Sequence, residues 1–154
     1  MSYFKLVYKH TQHFDQLPEW AERLEHKRVV TERYSERTGR TAIGSEWKVR
    51  TFQTDFFETE EEMCEKIARL TEGLDEYEDT FDAPAVVWRG QCNIPESVEA
   101  FAADKRRACR DCGVFGFESR KRIRKEAREE VKTFARTKQE ERDFIAFLNW
   151  YWSF

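Results

Sequence analysis

Apolar positions along the chain change period several times, and each change marks an element. Residues 3–10, YFKLVYKH, are rich in aromatic and β-branched side chains and predict a strand. Pro18 stands where a first-turn helix proline stands. PEWAERLEHK, with Trp20 and Leu24 four apart, then predicts a helix. RVVTERY (28–34) predicts a second strand, and SERTGRTAIG, with Gly39 and Gly44, a flexible turn. SEWKVRTFQT alternates Trp47, Val49 and Thr51 against charged neighbours, the period of a third strand. TEEE (59–62) is a capping box: Thr59 can cap the Glu62 amide while the Glu62 carboxylate reaches back. Met63, Ile67, Leu70 and Leu74 follow at helical spacing, then the acidic loop LDEYEDTFD, then a short buried-looking strand in PAVVWRG (84–90). Three more helices are predicted over 95–112, 119–136 and 138–151, the last opening on a second capping box, TKQE.

The order β-α-β-β-α-β predicts an α+β fold: a ferredoxin-like antiparallel sheet with both helices on one face, followed by a helical C-terminal extension. The 154 residues are enough for one domain with a real core, and 40% are hydrophobic and 15% aromatic. With three prolines, six glycines, no repeat and no low-complexity stretch, no linker is expected. The expected organisation is one domain over 1–154, with an α+β sandwich in 1–92 and the helical extension in 93–154.

Charge changes the picture more than composition does. The net charge of −3 hides two opposed blocks. Residues 55–82 hold 12 acidic side chains against Lys66 and Arg69, a balance of −10. Residues 105–136 hold 12 basic against 5 acidic, a balance of +7. The opening MSYFKLVYKH has no long apolar run, so neither a signal peptide nor a membrane span is expected. Four cysteines without a signal peptide imply free thiols in a reducing, cytoplasmic setting.

The most visible chemical motif is Cys-x-x-Cys at Cys109 and Cys112. At 100° per residue both thiols share the apolar stripe of Val98, Phe101 and Ala102, and the pair ends a helix, where the dipole disfavours thiolate. Core cysteines are therefore expected over a metal site, which usually needs a second Cys/His pair, or a redox site. The basic helix carries more. With Ile123 as the zero angle, Ala127, Val131 and Phe134 fall within about 80° of it and define a core face. Lys121, Lys125, Arg128, Lys132 and Arg136 form an opposite stripe about 80° wide. Like charges four apart repel until an anion satisfies them. Phosphates along a nucleic-acid backbone would do so, as would an acidic partner; a plain solvated face eased by Glu126, Glu129 and Glu130 is the bland alternative. Arg106, Arg107 and Arg110 line a flank of the preceding helix and join the anion-binding candidates.

The acidic block is expected to be mainly solvated helix and loop, with no EF-hand spacing. Its candidate partner-binding face is Glu60, Glu61, Asp75, Glu76, Glu78 and Asp79. Glu46 and Lys48 on the third strand mimic part of a metal-dependent nuclease motif, but no acidic partner precedes them at a suitable spacing. No P-loop, dinucleotide fingerprint or nucleophile elbow is present. Neither enzyme activity nor a cofactor is expected. The tail FIAFLNWYWSF places Phe144, Phe147, Leu148 and Tyr151 at helical spacing for a core. Trp150, Trp152 and Phe154 exceed one face and suit further packing, a homodimer or a contact patch.

PAVVWRGQCNIPESVEAFAADKRRA, followed by SRKRIRKEAREEVKTFA, resembles a stretch of the recombination-associated RdgC-type proteins: a strand, an Ile-Pro step into a helix, then a Lys/Arg-rich helix. The opening YFKLVY is similar to that family's first strand. FARTKQ departs from it, standing where the family continues with apolar residues. The family binds DNA without sequence preference, forms ring-like dimers and restrains recombinase action. The resemblance therefore implies DNA contact through Lys121, Lys125 and Arg128. The leading expectation is a non-enzymatic protein that binds a DNA or RNA backbone. The alternative is a small phage-type, anti-CRISPR-like inhibitor of a host defence nucleoprotein complex, whose acidic segment imitates nucleic acid.

Overall fold

The computed structural model describes residues 1–153; Phe154, counted above with the C-terminal aromatics, lies outside the described residues. Among those residues the chain is α+β. Strands β1 (Ser2–Phe14), β2 (His26–Ser35), β3 (Arg40–Phe57) and β4 (Ala85–Asn93) form a curled antiparallel sheet in the order β2-β3-β1-β4. Helices α1 (Glu60–Thr71), α2 (Glu96–Asp111), α3 (Phe117–Val131) and α4 (Lys138–Tyr151) complete it.

Three local expectations are corrected. The helix expected after Pro18 is a single 3-10 turn at Glu19–Ala21. Only Ala21 of that turn is buried and Trp20 is largely exposed, so the segment gains no apolar face. Strand pairing claims the backbone instead: Arg50 N–H donates to the Glu25 carbonyl at 2.9 Å, and β2 starts one residue later. Second, β3 begins at Arg40 and takes in Gly44, so the turn shrinks to four residues closed by Gly39 at a left-handed φ of 63°. Third, α3 stops at Val131. A 3-10 turn at Lys132–Phe134 follows, and Ala135 is already extended.

The chain divides into two compact units, each assembled from separated stretches. The first comprises Met1–Leu6, Thr54–Cys64 and Arg89–Phe154. Its core joins Tyr3, Phe56, Cys92, Ile94, Val98 and Ala102 to Val131, Phe144, Phe147 and Leu148. Phe147 is at the centre of the aromatic packing, with its ring 5.2 Å from Tyr3, 5.5 Å from Phe56 and 5.8 Å from Trp150. Helix α2 packs on α3, and both pack on α4. Thr137 caps α4 by accepting the Glu140 N–H at 3.1 Å, and the Glu140 carboxylate accepts the Arg136 N–H at 3.1 Å. Burying Tyr3, with Glu99 beside it, pushes its phenol up to about 12.

One ion pair sits almost out of solvent in this unit. Lys5 Nζ donates to Asp143 Oδ1 at 2.6 Å, and Gln139 donates to the same oxygen at 3.0 Å. Removing one member of such a pair strands the other charge. Asp143→Ala is expected to cost about 3 kcal/mol in a denaturant titration. The double variant Lys5→Met with Asp143→Leu should recover most of that loss, because it leaves no charge behind.

The second unit comprises Val7–Gln53 and Glu65–Trp88. Its backbone is the β2–β3 hairpin, in register from His26↔Val49 to Ser35↔Arg40. Val49 is fully buried, whereas Val30, Tyr34 and Ile43 at the outer end are exposed. The acidic loop is clamped by cations of this hairpin. Lys48 Nζ donates to Asp82 at 2.8 Å, and Lys27 donates to Asp79. The Arg50 guanidinium donates to the carbonyls of Thr80 and Phe81 at 3.3 Å and of Ala83 at 2.9 Å.

Candidate nucleic-acid interface

The turn between α2 and α3 sets the position of the basic helix. Gly113 adopts a φ of 71°, where side chains other than glycine are strained. A Cβ on Gly116 would lie 2.4 Å from the Cys112 carbonyl oxygen, so glycine is required there too. This tight turn leaves Val114, Phe115 and Phe117 in solvent, Phe115 at 95% exposure. The core side of α3 is Ala127 and Val131, both fully buried, with Ile123 half-buried. Phe134, expected on that face, sits in the 3-10 turn with its ring 5.4 Å from Phe101.

The basic stripe divides into two kinds of residue. Lys121 and Lys125 are exposed and make no ion pair among the described residues. Arg110 on α2 is likewise exposed. The others are engaged within the unit. Arg128 Nε donates to Asn149 Oδ1 at 2.9 Å, and its guanidinium lies 5.8 Å over the Trp152 ring. Lys132 pairs with Glu129 at 3.2 Å, and Arg107 with Asp104 at 3.7 Å. The Arg106 guanidinium lies 5.0 Å over Tyr151. Arg136 stands beyond the end of α3, in the bend before α4, so it leaves the helical stripe. Arg124 and the exposed aromatics Phe115 and Phe117 are functional candidates that helical phase alone passes over. Arg124 lies about 100° from Ile123, between core face and stripe.

The acidic candidates are also divided. Glu60 and Glu61 sit in the first turn of α1, and Asp75, Glu76 and Glu78 are exposed in the second unit. Asp79 is spent on the clamp. Lys27, and then the Phe81 N–H, hold its carboxyl below the usual range. In the nuclease-like pair, Glu46 lies 3.2 Å from His13, and Lys48 is committed to Asp82. Among the described residues no group of three or more His, Cys, Asp or Glu could hold a metal ion. Trp150, Tyr151 and Trp152 pack against the core of the first unit.

All four cysteines are thiols. Cys109 is buried as expected, but Cys112 is only half-buried because α2 ends at Asp111. As the helix C-cap, Cys112 donates its thiol to the Ala108 carbonyl at 3.3 Å. Cys92 is the perturbed one: burial, with Asp143 beside it, pushes its thiol from an ordinary 9.0 to about 11. An unfolded chain ionises this thiol near 9, whereas the folded one keeps its proton to about 11. The associated stability is therefore complete below pH 9 and lost as pH rises from about 9 to about 11. In urea titrations across that window, Cys92→Ala should show a shallower fall in midpoint than the natural chain. Equal falls would contradict this.

Comparison with protein-family models, curated proteins and solved structures returns no match for this chain. In addition, no described helix is long and apolar enough to cross a membrane.

Proposed function

We propose that the chain is a non-catalytic protein that binds nucleic acid by its phosphate backbone, through the outer face of α3. The observation that carries this reading is the pair Lys121 and Lys125. They are exposed, lie one turn apart, and have no carboxylate partner among the described residues. Two such ammonium groups repel each other mildly until anions sit between them. A phosphate backbone supplies those anions at regular spacing, and counterion release supplies the affinity. Exposed Phe115 and Phe117, at the N-terminal end of the same helix, offer rings on which unpaired bases could stack. The resemblance to RdgC-type DNA-binding proteins favours the same helix. In this reading the sheet that carries it is a ferredoxin-like split unit whose first helix has been reduced to a turn.

Backbone contacts carry no sequence information. At low salt, duplexes of two unrelated sequences should therefore shift in a gel at similar protein concentrations. A shift with one sequence alone, or with none, would overturn the reading.

A further inference from the structure

Arg124 and Arg128 of α3 line a cavity of about 190 Å³ with Asn149, Trp152 and Ser153. Among the described residues no carboxylate belongs to this lining. Its chemistry is dominated by N–H donors. Arg124 Nε and Trp152 Nε1 are shut off from solvent and have no hydrogen-bond partner among the described residues. Among the described residues Arg128 hydrogen-bonds only through Nε, to Asn149 Oδ1 at 2.9 Å, so its terminal N–H groups and the Asn149 amide N–H groups remain as further donors. The Ser153 hydroxyl is already committed, donating to the Trp150 carbonyl at 2.6 Å.

Buried donors without acceptors are unfavourable, and two guanidiniums four residues apart on a helix repel. One oxyanion would relieve both. A carboxylate brings two oxygens and one charge. A phosphate monoester brings three strong acceptor oxygens and close to two charges, a better match to a lining that holds two arginines and further N–H donors. The cavity is smaller than the roughly 300–1,000 Å³ that encloses a whole drug-sized ligand, so it suits a single group.

We propose that this cavity receives a terminal phosphate, carried either by a free mononucleotide or by the phosphorylated end of a nucleic-acid strand. The proposal does not depend on Lys121 and Lys125, neither of which lines the cavity.

The test is isothermal titration of the full chain with a nucleoside 5′-monophosphate and with the matching nucleoside. It is paired with fluorescence anisotropy of one single-stranded oligonucleotide bearing either a 5′-phosphate or a 5′-hydroxyl. Binding of the monophosphate but not the nucleoside is expected. Arg124→Gln should weaken it about tenfold or more. Trp152→Phe, which keeps a ring and removes the indole N–H, should weaken it several-fold and serves if Arg124→Gln fails to fold. Preference for the phosphorylated oligonucleotide, lost in either variant, assigns a strand end. Monophosphate binding with no such preference assigns a free mononucleotide. Equal binding of nucleoside and monophosphate, or variants that bind monophosphate like the natural chain, would overturn the proposal. Lys121→Ala with Lys125→Ala should weaken duplex binding but cost the monophosphate far less than Arg124→Gln does, which separates this site from the α3 stripe.

Discussion

Reversing Lys121 and Lys125 to glutamate together is expected to lower affinity for duplex DNA by about 100-fold at physiological salt. Each phosphate neutralised by a cation contributes roughly 1 kcal/mol under those conditions through counterion release. Losing two contacts therefore costs about 2 kcal/mol, a factor of about 30. Placing two carboxylates against the phosphates adds repulsion and carries the loss further. The fold should survive, because both side chains are exposed and hold no ion pair among the described residues. New like-charge neighbours such as Glu129 cost the helix only a few tenths of a kcal/mol. Circular dichroism should be unchanged while anisotropy titrations show the loss. Unchanged binding in a folded variant would remove α3 from the interface.

Phe147→Ala is expected to be the most damaging single core change. The ring is fully buried among Tyr3, Phe56, Trp150 and Tyr151. Truncating such a ring removes its transfer free energy, opens a cavity and breaks several aromatic contacts at once, about 3–5 kcal/mol in all. Against the 5–15 kcal/mol total stability typical of a domain, that is a large fraction. The melting temperature should fall by about 10 °C or more. Because α4 holds Phe147 and also supplies Asn149 to Arg128, the variant should lose nucleic-acid binding only as it unfolds. Loss of binding at a temperature where the variant is fully folded would mean that the core and the basic face are coupled more directly.

Features set by neighbouring residues were legible in the sequence. Thr59 accepts the Glu62 N–H at 3.2 Å, Thr137 caps α4, and α4 spans the predicted residues 138–151. The first helix was not legible. PEWAERLEHK has helical spacing, but its end, Glu25 to Lys27, is claimed by pairing with Lys48, Val49 and Arg50, more than twenty positions away. The fate of the acidic loop was hidden for the same reason. Asp79 stood among the candidate partner-binding residues, but Lys27 reaches it from 52 positions upstream, as Lys48 reaches Asp82 from 34. In the candidate site, helical phase placed Lys121 and Lys125 on an exposed face. It placed Arg136 there too, because nothing local announced the end of α3 at Val131. Arg124 was passed over because its partners in the cavity come from α4 and the residues just after it.

The most direct test of backbone binding through α3 is the salt dependence of affinity, measured by anisotropy with one short duplex. Up to four phosphate contacts, from Lys121, Lys125, Arg128 and Lys132, predict a slope of log Kobs against log salt of about −4. Replacing Lys121 and Lys125 with alanine should flatten that slope by about 2. A slope near zero, or one that the double variant leaves unchanged, would contradict the account.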